Sequence, residues 1–572
     1  MTPSRIALIF LVALAAVYVA VVLAGPRHAF WTIDGGLKFV TVERLAGSSF
    51  RDVSIPYPGE RIDPAGDFFP MKPPMATRVG ERFYPDVSLV FPILAAPLYM
   101  AFSWMGLYLL PLAATLVALW LVYRLGRPVL GTWSPWAIPI LGLATPLFFY
   151  AVTFWEHNLA VLATTAAVVV LLRDGNAISI RTSLAAGLLL GAAIWFREEC
   201  YLFAASVVLT LLVTRSGLRS VAGSIAGAAA TVFPLWILQW QVLGKPFGKR
   251  VEGAAEYGLL PQETGTGVLG YLGDRVETLY AWTLGLHQNA GLTLLVSIPL
   301  IAGLVLFLIL GRNKNRLVLT WGATAVYAIL CLAVLGSLDE RVFSTYFAGG
   351  LFATAPILAV LLTGAILPGE HHRTRREIFL GVLVLIFLSA AVLLSPVKYQ
   401  RGVHWGPRYL LPVLPFAAIL GLAGIRRAAG YLKHHRAVAA LGVLVLVLSF
   451  AIQTHSITAL QIKKRGTART LDFLREDVSG EIITNVWWFP LEVAATYSEH
   501  RIFGVTDTPH FHQLIDRFRT LGIDRFTIVA GPMDDRILKD PVIRVEHIRP
   551  VLYPGMGYFD LLFCDCSLAT GE

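Results

Sequence analysis

Charge is what this chain has least of. Only 15% of its 572 residues are Asp, Glu, Lys or Arg, where a soluble protein carries about 25%. That deficit excludes an ordinary water-soluble fold. Cysteine is also scarce: Cys200, Cys331, Cys564 and Cys566 are too few for a disulfide framework, and none pairs with Cys or His at zinc-finger spacing. Cys564 and Cys566 would share one face of a strand. The chain has no glycine-rich loop of the phosphate-cradling kind, no internal repeat and no low-complexity tract. The net charge of +10 is scattered between apolar runs and forms no continuous basic stripe, so no nucleic-acid partner is expected.

What remains is apolar. The chain is 56% hydrophobic, its mean hydropathy is +0.66, and apolar runs of roughly 18 or more residues recur along most of its length. This is the pattern of a polytopic membrane protein whose partner is the lipid bilayer. The first run, "IALIFLVALAAVYVAVVLAG", exceeds a usual signal-peptide core and reads as a retained helix. Candidate spans fall at 6–24, 107–123, 134–155, 157–172, 182–196, 199–213, 220–242, 290–310, 317–336, 347–366, 378–395, 408–424 and 437–453. An all-α bundle of about thirteen transmembrane helices follows.

Every second loop from Arg124 onward is basic: Arg124 and Arg127, Arg173 and Arg181, Arg215 and Arg219, then Arg312, Lys314 and Arg316, and so on to Arg436. Such loops mark the cytoplasmic side, which sends the alternate loops outward. The stretch 87–106 is nearly long enough to span but contains Pro92 and Pro97. Proline disfavours a helix interior, so this stretch is expected to lie against the membrane, with 25–106 forming the first outer loop. After residue 455 the composition changes. Strand-like runs "GEIITNVWW", "RFTIVAG" and "YFDLLFCDC" alternate with helical patterns such as "HFHQLIDRFRTLG". The chain therefore divides into a transmembrane part, 1–455, and a small extracytoplasmic α/β domain, 456–572.

Polar residues gather at the outer ends of the apolar runs. "FWTIDGGLKF" places Asp34 about ten residues beyond the first helix. "TFWEHN" puts Glu156 and His157 between two apolar runs, and "WFREECY" holds Arg197, Glu198 and Glu199 at a tight tip. "SPVKYQRGVHWGPRYLLPVLP" carries Lys398, Arg401, His404 and Arg408. A carboxylate can take a proton from an attacking hydroxyl, and arginine's planar fork matches phosphate oxygens. Plainer readings exist for each. Asp34 before Gly35 and Gly36 reads equally as a turn, and Arg197 could simply pair with Glu198 or Glu199. Lys398 and Arg401 could hold lipid headgroups. Arg408 is harder to dismiss, because the dipole at a helix start opposes a cation. Asp34, Glu156 and His157 could together hold a divalent metal, though no spacing compels one; no cofactor is otherwise expected.

These stretches, in this order, resemble the GT-C superfamily of membrane glycosyltransferases, near the bacterial aminoarabinose-transferase and protein O-mannosyltransferase type. The resemblance covers the membrane portion, about 450 residues, and rests on layout: an early Asp in a long outer loop, the "YPDVSLVFPILAAPLYMAFSWMG" segment, an acidic residue in the second outer loop, and "HWGPRYLLPVLP" before an outer domain. The resemblance implies that Asp34 is the catalytic base, that Glu156 with His157 positions the acceptor, and that Arg408 contacts the donor phosphate, helped by Arg197 or Arg401. Where the family often has Asp-Glu, this chain has Asp34-Gly35. The implied activity is transfer of a sugar from a polyprenyl-phosphate donor to a hydroxyl of a glycan, lipid or protein, outside the cytoplasmic membrane. A lipid-linked glycan flippase or transporter, and an O-antigen ligase or polymerase, are the alternatives.

Overall fold

The computed structural model describes residues 2–73, 75–173, 178–247, 268–286, 289–310, 315–337, 349–367, 373–394, 403–427, 436–531, 536–553 and 556–569. Among them, eight helical stretches are long and apolar enough to cross a membrane, with four shorter apolar helices beside them. The helices begin with α1 (Pro3–Leu23), α2 (Ile33–Gly47), α3 (Val90–Phe102) and α4 (Gly106–Leu130). They continue with α5 (Ala137–Ala144), α6 (Leu147–Ala151), α7 (His157–Leu171), α8 (Ile180–Phe196), α9 (Cys200–Val213) and α10 (Leu218–Leu243). α3 has 13 residues, about 20 Å at 1.5 Å per residue. That is short of the ~30 Å hydrocarbon core, and a break at Ser103 (φ 52°) separates it from α4.

Three of the expected spans are not continuous. The run 134–155 divides into α5 and α6 at Thr145-Pro146, and 347–366 divides at Ala355-Pro356 into Leu351–Thr354 and Ile357–Ile366. The run 408–424 opens as a 3₁₀ turn, Arg408–Val413, before the helix Leu414–Arg427. At the first two, a proline, which supplies no N–H, follows the end of the preceding helix. Broken helix within an apolar body needs other partners for its backbone, and buried side chains supply them. Ser449 accepts from the Ile357 N–H at 2.9 Å, Tyr150 donates to the Trp405 carbonyl at 2.9 Å, and Asn158 donates to the Leu147 carbonyl at 3.1 Å. Gly406 (φ 66°) seals the junction: a Cβ there would meet Pro146 at 2.6 Å and Thr354 at 3.0 Å.

At one end of the bundle the basic loops meet. Ser4 at the start of α1 bonds Tyr123 near the end of α4, Arg426 donates to the Val129 carbonyl, and Arg427 pairs with Glu377. At the other end stand α2, α3 and a sheet. The helix Arg436–Asp477 runs unbroken for 42 residues, about 63 Å, so the compositional change near 455 is not a break in the backbone. Its second half is buried on two sides: Lys464 donates to Tyr108 of α4, while Lys463 and Thr467 bind Glu492 and Thr470 bonds Tyr553 of the sheet domain.

The sheet comprises β3 (Glu481–Thr484), β4 (Arg501–Gly504), β5 (Arg525–Ala530), β6 (Ile543–Val551) and β7 (Leu561–Leu568), in the order β4-β3-β5-β7-β6. The first three are parallel and the last two antiparallel to their neighbours. The helix Thr508–Leu521 returns between β4 and β5. The three expected strands and this helix lie where their patterns indicated; β4 and β6, short or polar, were not legible. Cys564 and Cys566 are free thiols on the same buried face of β7. The first long loop joins this body. It adds a hairpin, β1 (Ala76–Val79) with β2 (Arg82–Pro85), and the Phe68 carbonyl accepts from Gly504 at 2.8 Å. Buried Asp63 binds Arg517 at 2.5 Å.

Candidate active site

"TIDGG" is a helix start and not a turn. Thr32 is the N-cap of α2, its Oγ1 accepting from the Gly35 N–H at 3.2 Å. Asp34 falls in the first turn, where the helix dipole favours an anion. Gly36 is required for a different reason: a Cβ there would lie 1.9 Å from the Leu491 carbonyl oxygen. Only glycine lets α2 press against the helix Phe489–Glu492, and so fixes where Asp34 stands relative to the sheet domain. The same seam is tied by Lys463, fully buried, which binds Glu492 at 2.5 Å and the Phe30 carbonyl at 3.2 Å.

One turn after Asp34, on the same face, comes Lys38. It is 1% exposed and close enough to Asp34 for their charges to interact. Its Nζ reaches Glu156 Oε2 at 2.6 Å, and Arg197 Nη1 reaches Glu156 Oε1 at 3.1 Å. Arg197 Nε in turn contacts both carboxylate oxygens of Glu199, at 2.9 and 3.1 Å, while Glu198 points to the exposed side. Cations and carboxylates thus alternate from Asp34 through Lys38, Glu156 and Arg197 to Glu199. Burial alone would raise the Glu156 carboxyl, but Lys38 and Arg197 outweigh it and hold the group below the ordinary carboxylate range. Removing either cation would leave Glu156 buried and underpaired, at a cost of about 3–5 kcal/mol.

Arg408 joins from the broken segment after Gly406. Its guanidinium lies 5.8 Å from the centre of the Trp155 ring and 5.1 Å from that of Tyr409, and Nη2 donates to the Tyr409 hydroxyl at 3.1 Å. Arg197 covers the same Tyr409 ring at 6.0 Å, and Lys38 lies 5.7 Å from the Trp155 ring centre. Tyr409 and Trp155 therefore space three cations over aromatic faces. His157, at the start of α7, is acted on by the charges of Lys38, Arg197, His404 and Arg408.

Of the residues singled out in the sequence, Asp34, Glu156, His157, Arg197, His404 and Arg408 come into this one neighbourhood. Lys398 and Arg401 lie outside the described residues. The expected pairing of Arg197 with a neighbouring acid falls to Glu199, while Lys38, Tyr409 and Trp155 were missed. The signal for Lys38 was present as the four-residue spacing in "DGGLK". Its partner in another loop could not be read from one sequence. Among the described residues no group of three His, Cys, Asp or Glu side chains could hold a metal ion; Glu156 faces Lys38 and Arg197 instead.

No protein-family model matches the chain, and no curated protein does. It is similar to solved structures. One is ArnT from Cupriavidus metallidurans bound to undecaprenyl phosphate, at 13% identity over 97% of both chains, with a TM-score of 0.45. Another is the apo Archaeoglobus fulgidus oligosaccharyltransferase, at 12% identity over 92% of this chain and 69% of that one, with a TM-score of 0.49. The archaeal enzyme, AglB, in complex with an inhibitory peptide and a dolichol-phosphate is similar at 12% identity, 92% and 69% coverage and a TM-score of 0.46.

Proposed function

We propose that this protein is a GT-C membrane glycosyltransferase. It would move a sugar from a polyprenyl-phosphate donor to an acceptor hydroxyl at the outer face of a bacterial cytoplasmic membrane. The observation that supports this best is the clustering of Asp34, on a rigid helix start, with three buried cations in a body of apolar helices. The acceptor oxygen attacks the anomeric carbon, the bond from that carbon to the phosphate oxygen breaks, and the acceptor's proton passes to Asp34. Negative charge grows on the departing polyprenyl phosphate, where Arg408 and Arg197 meet it. Preorganised charge of this kind is usually the largest catalytic term. Glu156 serves by ordering Lys38 and Arg197.

The broken segments that meet around Pro146, Thr354 and Gly406 favour one second reading, a lipid-linked glycan flippase, since transporters build sites on interrupted helices. One assay separates the two. Purified full-length protein in detergent, given a short-chain polyprenyl-phosphate sugar and mixed acceptors, should release polyprenyl phosphate together with a glycosylated product identified by mass spectrometry. Asp34→Asn should lower that turnover by roughly 10²–10⁴-fold with donor binding retained. Absence of sugar transfer by the wild type with every donor, alongside movement of intact donor across vesicles, would establish the flippase.

A further inference from the structure

His157 is built into the molecule more tightly than its chemistry explains. Its ring is 1% exposed. It stacks on Tyr150 with ring centres 4.6 Å apart and planes at 25°, and meets the edge of Trp155 at 4.6 Å. Among the described residues neither Nδ1 nor Nε2 has a hydrogen-bond partner. Buried polar atoms are nearly always bonded, and an imidazole always carries at least one N–H to donate. Phenylalanine would fill the same space and keep the stacking on Tyr150. What the imidazole adds is two nitrogens, and no described residue bonds either.

The surroundings say what kind of group would use them. Lys38, Arg197, His404 and Arg408 all act on this ring, and of the carboxylates nearby Glu156 is taken up by Lys38 and Arg197, Glu199 by Arg197, and Asp34 acts on Lys38. A further cation would be repelled from such a place, and a neutral hydroxyl would gain little from it. An anion with several acceptor oxygens fits, since each oxygen can take a bond from a different donor.

We propose that His157 is a direct ligand of the donor's phosphate, giving an N–H to one of its oxygens while Tyr150 and Trp155 hold the ring. This rests on the glycosyltransferase reading and moves His157 from the acceptor's side of the reaction to the donor's. Its substitution affects binding of the lipid phosphate with no sugar present.

The test measures binding of a sugar-free short-chain polyprenyl phosphate to full-length protein in detergent, followed by tryptophan fluorescence and by equilibrium dialysis. Wild type should bind it, and His157→Phe should weaken binding roughly tenfold or more, as loss of a bond to a charged group does. His157→Gln, which keeps an N–H, should stay within about threefold. Inorganic phosphate in competition tells the ligand's source apart: displacement at millimolar level means that the phosphate alone is recognised, and no displacement means that the lipid-borne phosphate is. Either agrees with the assignment. Since His157→Phe could fail to fold, ¹⁵N-histidine spectra of the wild type supply a second arm. The resonance lost in His157→Gln should shift on adding polyprenyl phosphate. Equal affinity in wild type and His157→Phe, or an unmoved His157 resonance at saturation, overturns the proposal alone. Failure of the wild type to bind polyprenyl phosphate at all overturns the donor reading beneath it.

Discussion

Arg408 and Lys38 show how much a single side chain can be asked to do here. Arg408 lies at the start of a 3₁₀ turn, following Pro407, with its guanidinium over Trp155 and Tyr409. A lysine there keeps the charge but loses the planar fork and its stacking. Arg408→Lys should therefore lose nearly as much transfer activity as Arg408→Ala, measured with the short-chain donor; full activity in the lysine variant would leave Arg408 a headgroup anchor. Lys38 differs, because its ammonium faces a carboxylate it cannot abandon. Lys38→Met should destabilise the protein by about 3–5 kcal/mol by stranding Glu156. The double variant Lys38→Met, Glu156→Gln should recover part of that stability but not the turnover. A thermal-unfolding series in detergent checks the first statement and the transfer assay the second.

At the scale of elements, what matters is how closely backbones approach. α2 can bring Asp34 to its place because Gly36 meets the Leu491 carbonyl with no side chain between. Gly36→Ala must push α2 away from the helix Phe489–Glu492 by more than 1 Å, since carbon and oxygen do not approach to 1.9 Å. A displacement of that size near a reacting group costs about 10²-fold in rate. Gly47→Ala, at the other end of α2 with nothing within 4 Å, should leave turnover unchanged and add up to about 0.5–1 kcal/mol of stability. Equal rates for the two variants would show that α2's seat on the sheet domain does not set the site. The broken segments follow the same logic, with Ser449, Tyr150 and Asn158 bonding backbone groups beside the breaks.

Over the whole molecule, the 42-residue helix Arg436–Asp477 is a strut that carries the sheet domain over the end of the bundle holding Asp34. Its buried Lys463–Glu492 pair locks the two together, so Lys463→Met should loosen the domain, read as faster proteolysis between 478 and 569. The side of the membrane is tested by labelling. All four cysteines are buried, which leaves a quiet background for an impermeant thiol reagent. Ala65→Cys and Gln513→Cys, both exposed, should react in intact spheroplasts, whereas Arg219→Cys should react only after lysis. The reverse pattern would put Asp34 in the cytoplasm and end the lipid-linked donor scheme.

The class of the protein and most of its helices were legible because apolar run length and composition are local properties. Asp34, Glu156, Arg197 and Arg408 were legible as polar residues in costly places, since a charge beside an apolar run demands a reason wherever the chain goes. What they touch was not. "TIDGG" reads alike as a turn or a helix start until Leu491 is seen against Gly36, and Lys38 is one more surface lysine until Glu156, 118 positions away, is seen beside it. His157 is the sharpest case. One sequence shows an ionisable residue next to an acid, but only the packing of Tyr150 and Trp155 buries both its nitrogens. Pairing energies depend on distance and desolvation, and the tertiary structure alone sets both.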